Sequence, residues 1–157
     1  MKKSITFFLN SNGNDAEEVR KKSANFLRSH GVTEESVQKK IMLIKELLKI
    51  FVQYNSFKPP QKKMTVQFHI CSNKITFEVS NPIKGIQTEK LERLDKTIQF
   101  LRGYQDPFEA YLKLKDRSDF GPDELALAKL NYEGKMMLDF FVSEDNIMTM
   151  SAVTAIN

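Results

Sequence analysis

Residues Ile44–Asn55 read IKELLKIFVQYN, and the placing of their apolar side chains decides the rest of the reading. Ile44, Leu48 and Phe51 continue a series begun at Val37 and Ile41. Alternating steps of four and three are the repeat of a helix that buries one stripe. Thr33 suits the N-cap, and Glu34 and Glu35 after it complement the positive end of the helix dipole. The spacing therefore predicts a central core helix over 33–54. Glu46 lies on it with Ile50 four residues later, nearly above it on the same face. Asn55 is nine residues beyond Glu46, on roughly the opposite side of the axis at about 100° per residue.

Outward from this helix the chain alternates between strand and helix patterns. SITFFL (4–9) reads as a strand. Asn14 or Asp15 would cap a helix with Val19, Ser23, Phe26 and Leu27 as its buried stripe, stopped at Gly31. After Pro59-Pro60, MTVQFHIC (64–71) alternates apolar and polar residues, Ser72-Asn73 turns the chain, and KITFEVS returns with Ile75, Phe77 and Val79 on one face. A third helix starts at Thr88, carries Leu91, Leu94, Ile98 and Leu101, and stops at Gly103. Asp106-Pro107 opens a short fourth helix and Gly121-Pro122 a fifth that ends at Gly134. Two alternating strands, KMMLDFFVS and NIMTMSAV, close the chain around Asp145-Asn146. The predicted fold is an α/β two-layer sandwich, with helices on one face of a mixed, largely antiparallel sheet.

A chain of 157 residues is expected to form a single domain over 1–157 with its own core. Apolar residues make up 41% and charged residues 28%, an ordinary globular balance, and no apolar run is long enough to span a bilayer. The N-terminal apolar run is only Ile5–Leu9, too short for a secretory core. A single cysteine, Cys71, excludes an internal disulfide framework. These features predict a cytoplasmic protein. The net charge is +4, but Lys and Arg are interleaved with acids, and the mild clusters at Arg20–Lys22 and Lys58–Lys63 carry no interleaved aromatics. They read as solvated surface, and neither nucleic acid nor membrane is expected as a partner. His30 reads as a helix-end cation and His69 as a strand-face residue.

Three segments in this order resemble a known family. NDAEEVRKKSANFLRSHGVTEESVQKKIMLIKELLKIF is similar to the paired helices, ITFEVSNPIKGI to the adenine-gripping strand and turn, and GPDELALAKLNYEGKMMLDFFVS to the last helix and hairpin, of the GHKL, or histidine kinase-like, ATPase domain. The two helices over about 87–120, where that family has its lid, bring the chain nearest to the small bacterial anti-sigma-factor serine kinases. Those partner-switching kinases act on STAS-domain antagonists.

The resemblance implies a role for particular residues. Glu46 takes the position of the general base, but the magnesium-binding Asn four residues on is replaced by Ile50. Asn81 stands where an Asp accepts the adenine amino proton; the first glycine of that motif is Ile83, and only Gly85 remains. The plainer reading of Asn81-Pro82 is a strand-ending turn, which the sequence favours over an adenine contact. In the glycine-rich turn that receives phosphates, Gly121 is one place early, and Pro122 and Glu124 occupy glycine positions. Pro122 has no N–H to donate, and Asp123 and Glu124 put negative charge where phosphate would bind. The same acids suit a well-capped helix.

Two functional expectations follow. One is a non-catalytic regulatory module that keeps the scaffold and its partner surface, with no cofactor and no metal. Its partner would be a STAS-domain protein or a sigma factor in a bacterial signalling pathway. The other is a working serine/threonine protein kinase that uses ATP and magnesium, with Glu46 as base and Asn81, Gly85 and Gly121 as nucleotide contacts. Apolar residues on both faces of the last hairpin, Met136, Leu138, Phe140 and Val142 against Met137 and Phe141, suggest a second buried surface. It would be either covered within the chain or a homodimer interface.

Overall fold

The computed structural model describes residues 3–10, 16–54, 63–82 and 88–157. The Asn14/Asp15 cap, Asn55, Ile83 and Gly85 lie outside the described residues.

β1 (Lys3–Asn10) is followed by α1 (Ala16–Ser29) and α2 (Glu34–Tyr54), and then by a hairpin of β2 (Lys63–Cys71) and β3 (Lys74–Pro82). α3 (Thr88–Arg102), α4 (Pro107–Lys115) and α5 (Pro122–Glu133) come next, and β4 (Met137–Val142) and β5 (Ile147–Ala155) form the second hairpin. The local signals place these elements. Gly31 at φ 82° ends α1, with its N–H on Arg28 O and the Val32 N–H on Leu27 O, the double bond of a left-handed helix stop. Thr33 Oγ1 accepts from the Ser36 N–H at 3.4 Å at the start of α2. Ser72, at φ 54°, lets the chain reverse between Cys71 and Lys74.

The sheet order is β1-β2-β3-β5-β4, and every neighbouring pair is antiparallel. The expected mixed sheet is corrected by where the last hairpin docks. β3 and β4 run in the same direction, but β5 inserts between them, Val79 facing Met150 and Phe140 facing Met150 from the other side. Their parallel relation therefore never becomes a pairing.

Alternation sorts the two faces. Phe7, Val66, Phe68, Phe77, Val79, Met150 and Leu138 are buried on one side. The Phe68 ring lies 5.1 Å from Phe77 and 6.1 Å from both Phe7 and Phe26 of α1, joining the sheet to the helical layer. The other side carries Thr6, Gln67, Glu78, Ser80 and Ser151, with a Ser80–Thr149 hydroxyl bond of 2.9 Å across the strands. Helices cover one face. On the open face Met137 and Phe141 remain 67% and 59% exposed, so the described residues do not cover that side of β4.

α2 buries Val37, Ile41, Ile44 and Phe51 as the spacing predicts, and Leu47 and Ile50 as well, whereas Leu48 is only half-buried. The stripe is wider than expected because α2 packs on β3 and is flanked by α1 on one side and α5 on the other. α4 packs on α5 and α3, where Leu101, Ala110, Leu114 and Ala128 make a second, smaller core. Among the described residues no helix is long and apolar enough to cross a membrane.

Lys40 is drawn into the edge of the α2 stripe, only 9% exposed. Burial, and secondarily the charge of Lys39, holds its pKa below the usual 10.5. A lysine depressed in this way opposes folding while it is charged, and the penalty fades as pH rises towards 10.5. Lys40→Met is expected to stabilise the fold at neutral pH by about 1 kcal/mol in urea denaturation, with the gain shrinking as pH rises through the lowered folded pKa towards 10.5. A destabilised variant would show that the ammonium makes a productive contact.

Candidate functional site

The positions singled out by sequence sit on α2, the end of β3 and the start of α5. Ile50 is buried in the main core, so its side chain is part of the packing between α2 and its neighbours. Glu46, one turn earlier, is exposed. The two residues do not form a paired site: Glu46 faces solvent and Ile50 packs in the core, and among the described residues no group of three His, Cys, Asp or Glu side chains is placed to hold a metal ion.

Asn81 pairs with Met148 across the β3–β5 ladder and points, with Val79 and Phe77, to the helix-covered side. It is 1% exposed. Its Nδ2 donates to Pro82 O at 2.9 Å, while its Oδ1 is buried with no hydrogen-bond donor among the described residues. A buried acceptor without a donor costs on the order of 1–3 kcal/mol. Gly85, the second contact of that motif, lies outside the described residues.

The start of α5 is the best-defined part of the site. Gly121 is the N-cap in an extended conformation, Pro122 takes the first helical position, and Leu125 N–H bonds to Gly121 O at 3.0 Å. Asp123 points to solvent, but Glu124 is 3% exposed. Arg93 of α3 holds its carboxylate: Nε donates to Oε1 at 2.5 Å and Nη2 contacts the same oxygen. A Cβ on Gly121 would stand 3.4 Å from Arg93 Nη2 and 3.5 Å from Glu124 Oε2. The ion pair therefore lies directly against the N-cap. The first-turn amides and helix dipole that would receive an external anion already face a carboxylate of this chain.

A second charged cluster fixes the approach to α5. Arg117 donates through Nε and Nη2 to Asp119 at 2.9 and 2.6 Å, and Lys96 Nζ reaches the same carboxylate at 2.8 Å. The Arg117 guanidinium also lies 5.3 Å from the Phe100 ring and 5.1 Å from Phe120. These contacts tie the segment between α4 and α5 to α3, the helix that supplies Arg93.

No hydrogen bond or ion pair joins Glu46, Asn81 and Gly121 to one another among the described residues. The described residues therefore do not supply a fit for magnesium and triphosphate. Ile50 offers no metal ligand, Pro122 offers no N–H, and Glu124 offers like charge. Neither family models nor curated proteins match this chain.

Arg93 is the site residue that sequence reasoning did not single out. It is 31 positions from Glu124 in an ordinary amphipathic helix, and only the docking of α3 on α5 brings them together. Arg93→Met is expected to destabilise by about 2 kcal/mol in urea denaturation, because it strands a buried carboxylate; the guanidinium's own half-exposure keeps the loss below that of a fully buried pair. Arg93→Met with Glu124→Leu should recover much of that loss, and a double variant as unstable as the single one would show that the pair is not the cause.

Hydrogen bonds from Arg117, and then from Lys96, hold the Asp119 carboxyl well below its usual 3.8. Its contribution to stability is present above pH 3.8 and is lost as pH falls through the lower folded value. Asp119→Asn is therefore expected to flatten the acid limb of the stability–pH curve followed by circular dichroism. An unchanged limb would mean the cluster is too well solvated to matter.

Proposed function

We propose that this chain is a non-catalytic regulatory module that binds a protein partner through a GHKL-like scaffold without the scaffold's nucleotide chemistry. The observation that carries the reading is Glu124, a buried carboxylate fixed by Arg93 against the N-cap of α5. It occupies the electrostatic position of a phosphate. A triphosphate there would have to displace this carboxylate from Arg93 before it could use the guanidinium or the helix end, and would leave a buried carboxylate unpaired. The buried, apolar Ile50 supports the same reading at the metal position.

The class of partner comes from the resemblance: a STAS-domain protein or a sigma factor in a bacterial partner-switching pathway. The α1 cations are less available for such docking than a count suggests. Arg20 pairs with Glu17 at 2.5 Å and Lys22 with Glu18 at 2.8 Å, which leaves Lys21 beside two neutralised neighbours.

One observation favours the second reading, a serine/threonine kinase of the same family. The unpaired Asn81 Oδ1 is an acceptor at the position where the resemblance places the adenine amino group. On that reading Glu46 is the base, and its exposure leaves it accessible to a bound substrate.

Calorimetry with ATP and magnesium separates the two. Three unfavourable features of about 1–3 kcal/mol each, partly additive, lower affinity by roughly two to five powers of ten. No binding is expected at millimolar ATP, and Ile50→Asn with Glu124→Gly should move affinity upward if that doubly altered core still folds. Micromolar binding by the unaltered chain would overturn the proposal and make Glu46→Gln the first kinase variant to assay.

A further inference from the structure

At the far end of α5 from Glu124, a cavity of about 710 Å³ opens between the C-terminal ends of α3 and α5, the start of β4 and the turn into α4. That volume falls in the range of roughly 300–1,000 Å³ typical of small-molecule sites. Its floor is apolar: Ile98, Leu101, Met136 and Leu138 line it and are buried. At its mouth the Phe108 and Tyr132 rings lie 4.8 Å apart and stay 43% and 37% exposed, an aromatic pair left half open to water.

The charges around this apolar floor are unequally held. Two cations, Arg102 and Lys135, and one carboxylate, Asp106, line the cavity, and Asp139 pairs with Arg102 beside it. Asp106 is already committed, accepting from the Phe108 N–H as the N-cap of α4. Arg102 is held less firmly, at 3.3 Å from Leu138 O and 3.1 Å from Asp139, longer than the roughly 2.7–2.9 Å of a strong charge-assisted bond. Lys135 makes no ion pair among the described residues.

The backbone adds an independent observation. The chain leaves α5 through Gly134 at φ −85°, and the left-handed position, φ 48°, falls on Lys135. Glycine is the residue that takes this conformation without strain. A cation suits the negative end of a helix, but the dipole does not require it to be left-handed. A left-handed residue directly after the C-cap is a common helix stop, and here it sets a lysine at the rim of the cavity.

We propose that this cavity binds a small amphipathic organic anion, an aromatic or aliphatic carboxylate. Its apolar body lies on Ile98, Leu101 and Leu138 under the Phe108–Tyr132 pair, and its carboxylate meets Lys135, with Arg102 free to turn towards it. The site is separate from the start of α5, since twelve residues at about 1.5 Å each place it roughly 18 Å along the helix. It does not depend on the regulatory reading above.

The test uses 2-naphthoate as probe, with 2-naphthalenemethanol and 2-naphthylmethylammonium as its neutral and cationic counterparts, measured by calorimetry and by amide chemical shifts on the full chain. The carboxylate is expected to bind with a Kd from tens of micromolar to about 1 mM, at least about tenfold tighter than either counterpart. The largest shifts should fall at Leu101, Tyr132 and Leu138. Lys135→Gly removes the cation and relieves the backbone, so it should keep or raise the melting temperature while weakening naphthoate at least about fivefold and leaving the neutral analogue unchanged. Equal affinity for the three probes, shifts centred elsewhere, undiminished binding by Lys135→Gly, or no naphthoate binding at millimolar concentration would each overturn the proposal.

Discussion

Helix α2 is enclosed on three sides, by the sheet beneath it and by α1 and α5 beside it, and the rest of the structure depends on that enclosure. A helix with one buried side tolerates polar residues over more than half its circumference; a helix flanked on both sides does not. Leu47, Ile50 and Phe51 all fall in the enclosed arc, and any polar group there would need a partner the neighbouring surfaces do not offer. Glu46 escapes because it lies just outside the arc, in solvent. The same enclosure explains Lys40, whose long apolar stem can lie along the core edge while its ammonium is pressed into poorer solvation.

The start of α5 responds to a related constraint. Its first turn packs beside α3, which brings a cation to the one buried carboxylate of that turn. Glu124 satisfies the electrostatics of the helix end, and Arg93 makes its burial tolerable. The Lys96–Asp119–Arg117 cluster, seated on Phe100 and Phe120, fixes the segment that leads into this turn to the same helix that carries Arg93. α3 thus holds α5 at two points, one buried and one exposed. The geometry at Gly121 is set by protein groups alone.

Local pattern carried most of the fold into view from sequence, and long-range pairing carried the rest. The 64–80 hairpin was legible because period-two alternation and a two-residue turn are both local. The stops at Gly31 and Gly103 were legible for the same reason. The insertion of β5 between β3 and β4 was not, since nothing in NIMTMSAV distinguishes a central strand from an edge strand that is buried on one side. At the candidate site the substitutions themselves were legible, Ile50 for a metal ligand and Glu124 for a glycine. Their physical settings were not: Ile50 is buried in the main core, and Glu124 is paired with a residue 31 positions away. Met137 and Phe141 stay exposed, so the described residues do not cover the second face of the last hairpin.

The two ends of α5 show how one helix can serve opposite electrostatic purposes. At its start Arg93 holds an internal carboxylate beside the N-cap. At its end Lys135 follows the C-cap Gly134, where a cation suits the negative end of the helix, and it lines an apolar hollow together with Arg102 of α3. A field of this kind attracts anions that also bring apolar surface, since charge alone at a half-exposed lysine is strongly screened. Selectivity there would come from the hollow and only orientation from the charge, the reverse of a nucleotide site, in which phosphate contacts dominate the binding.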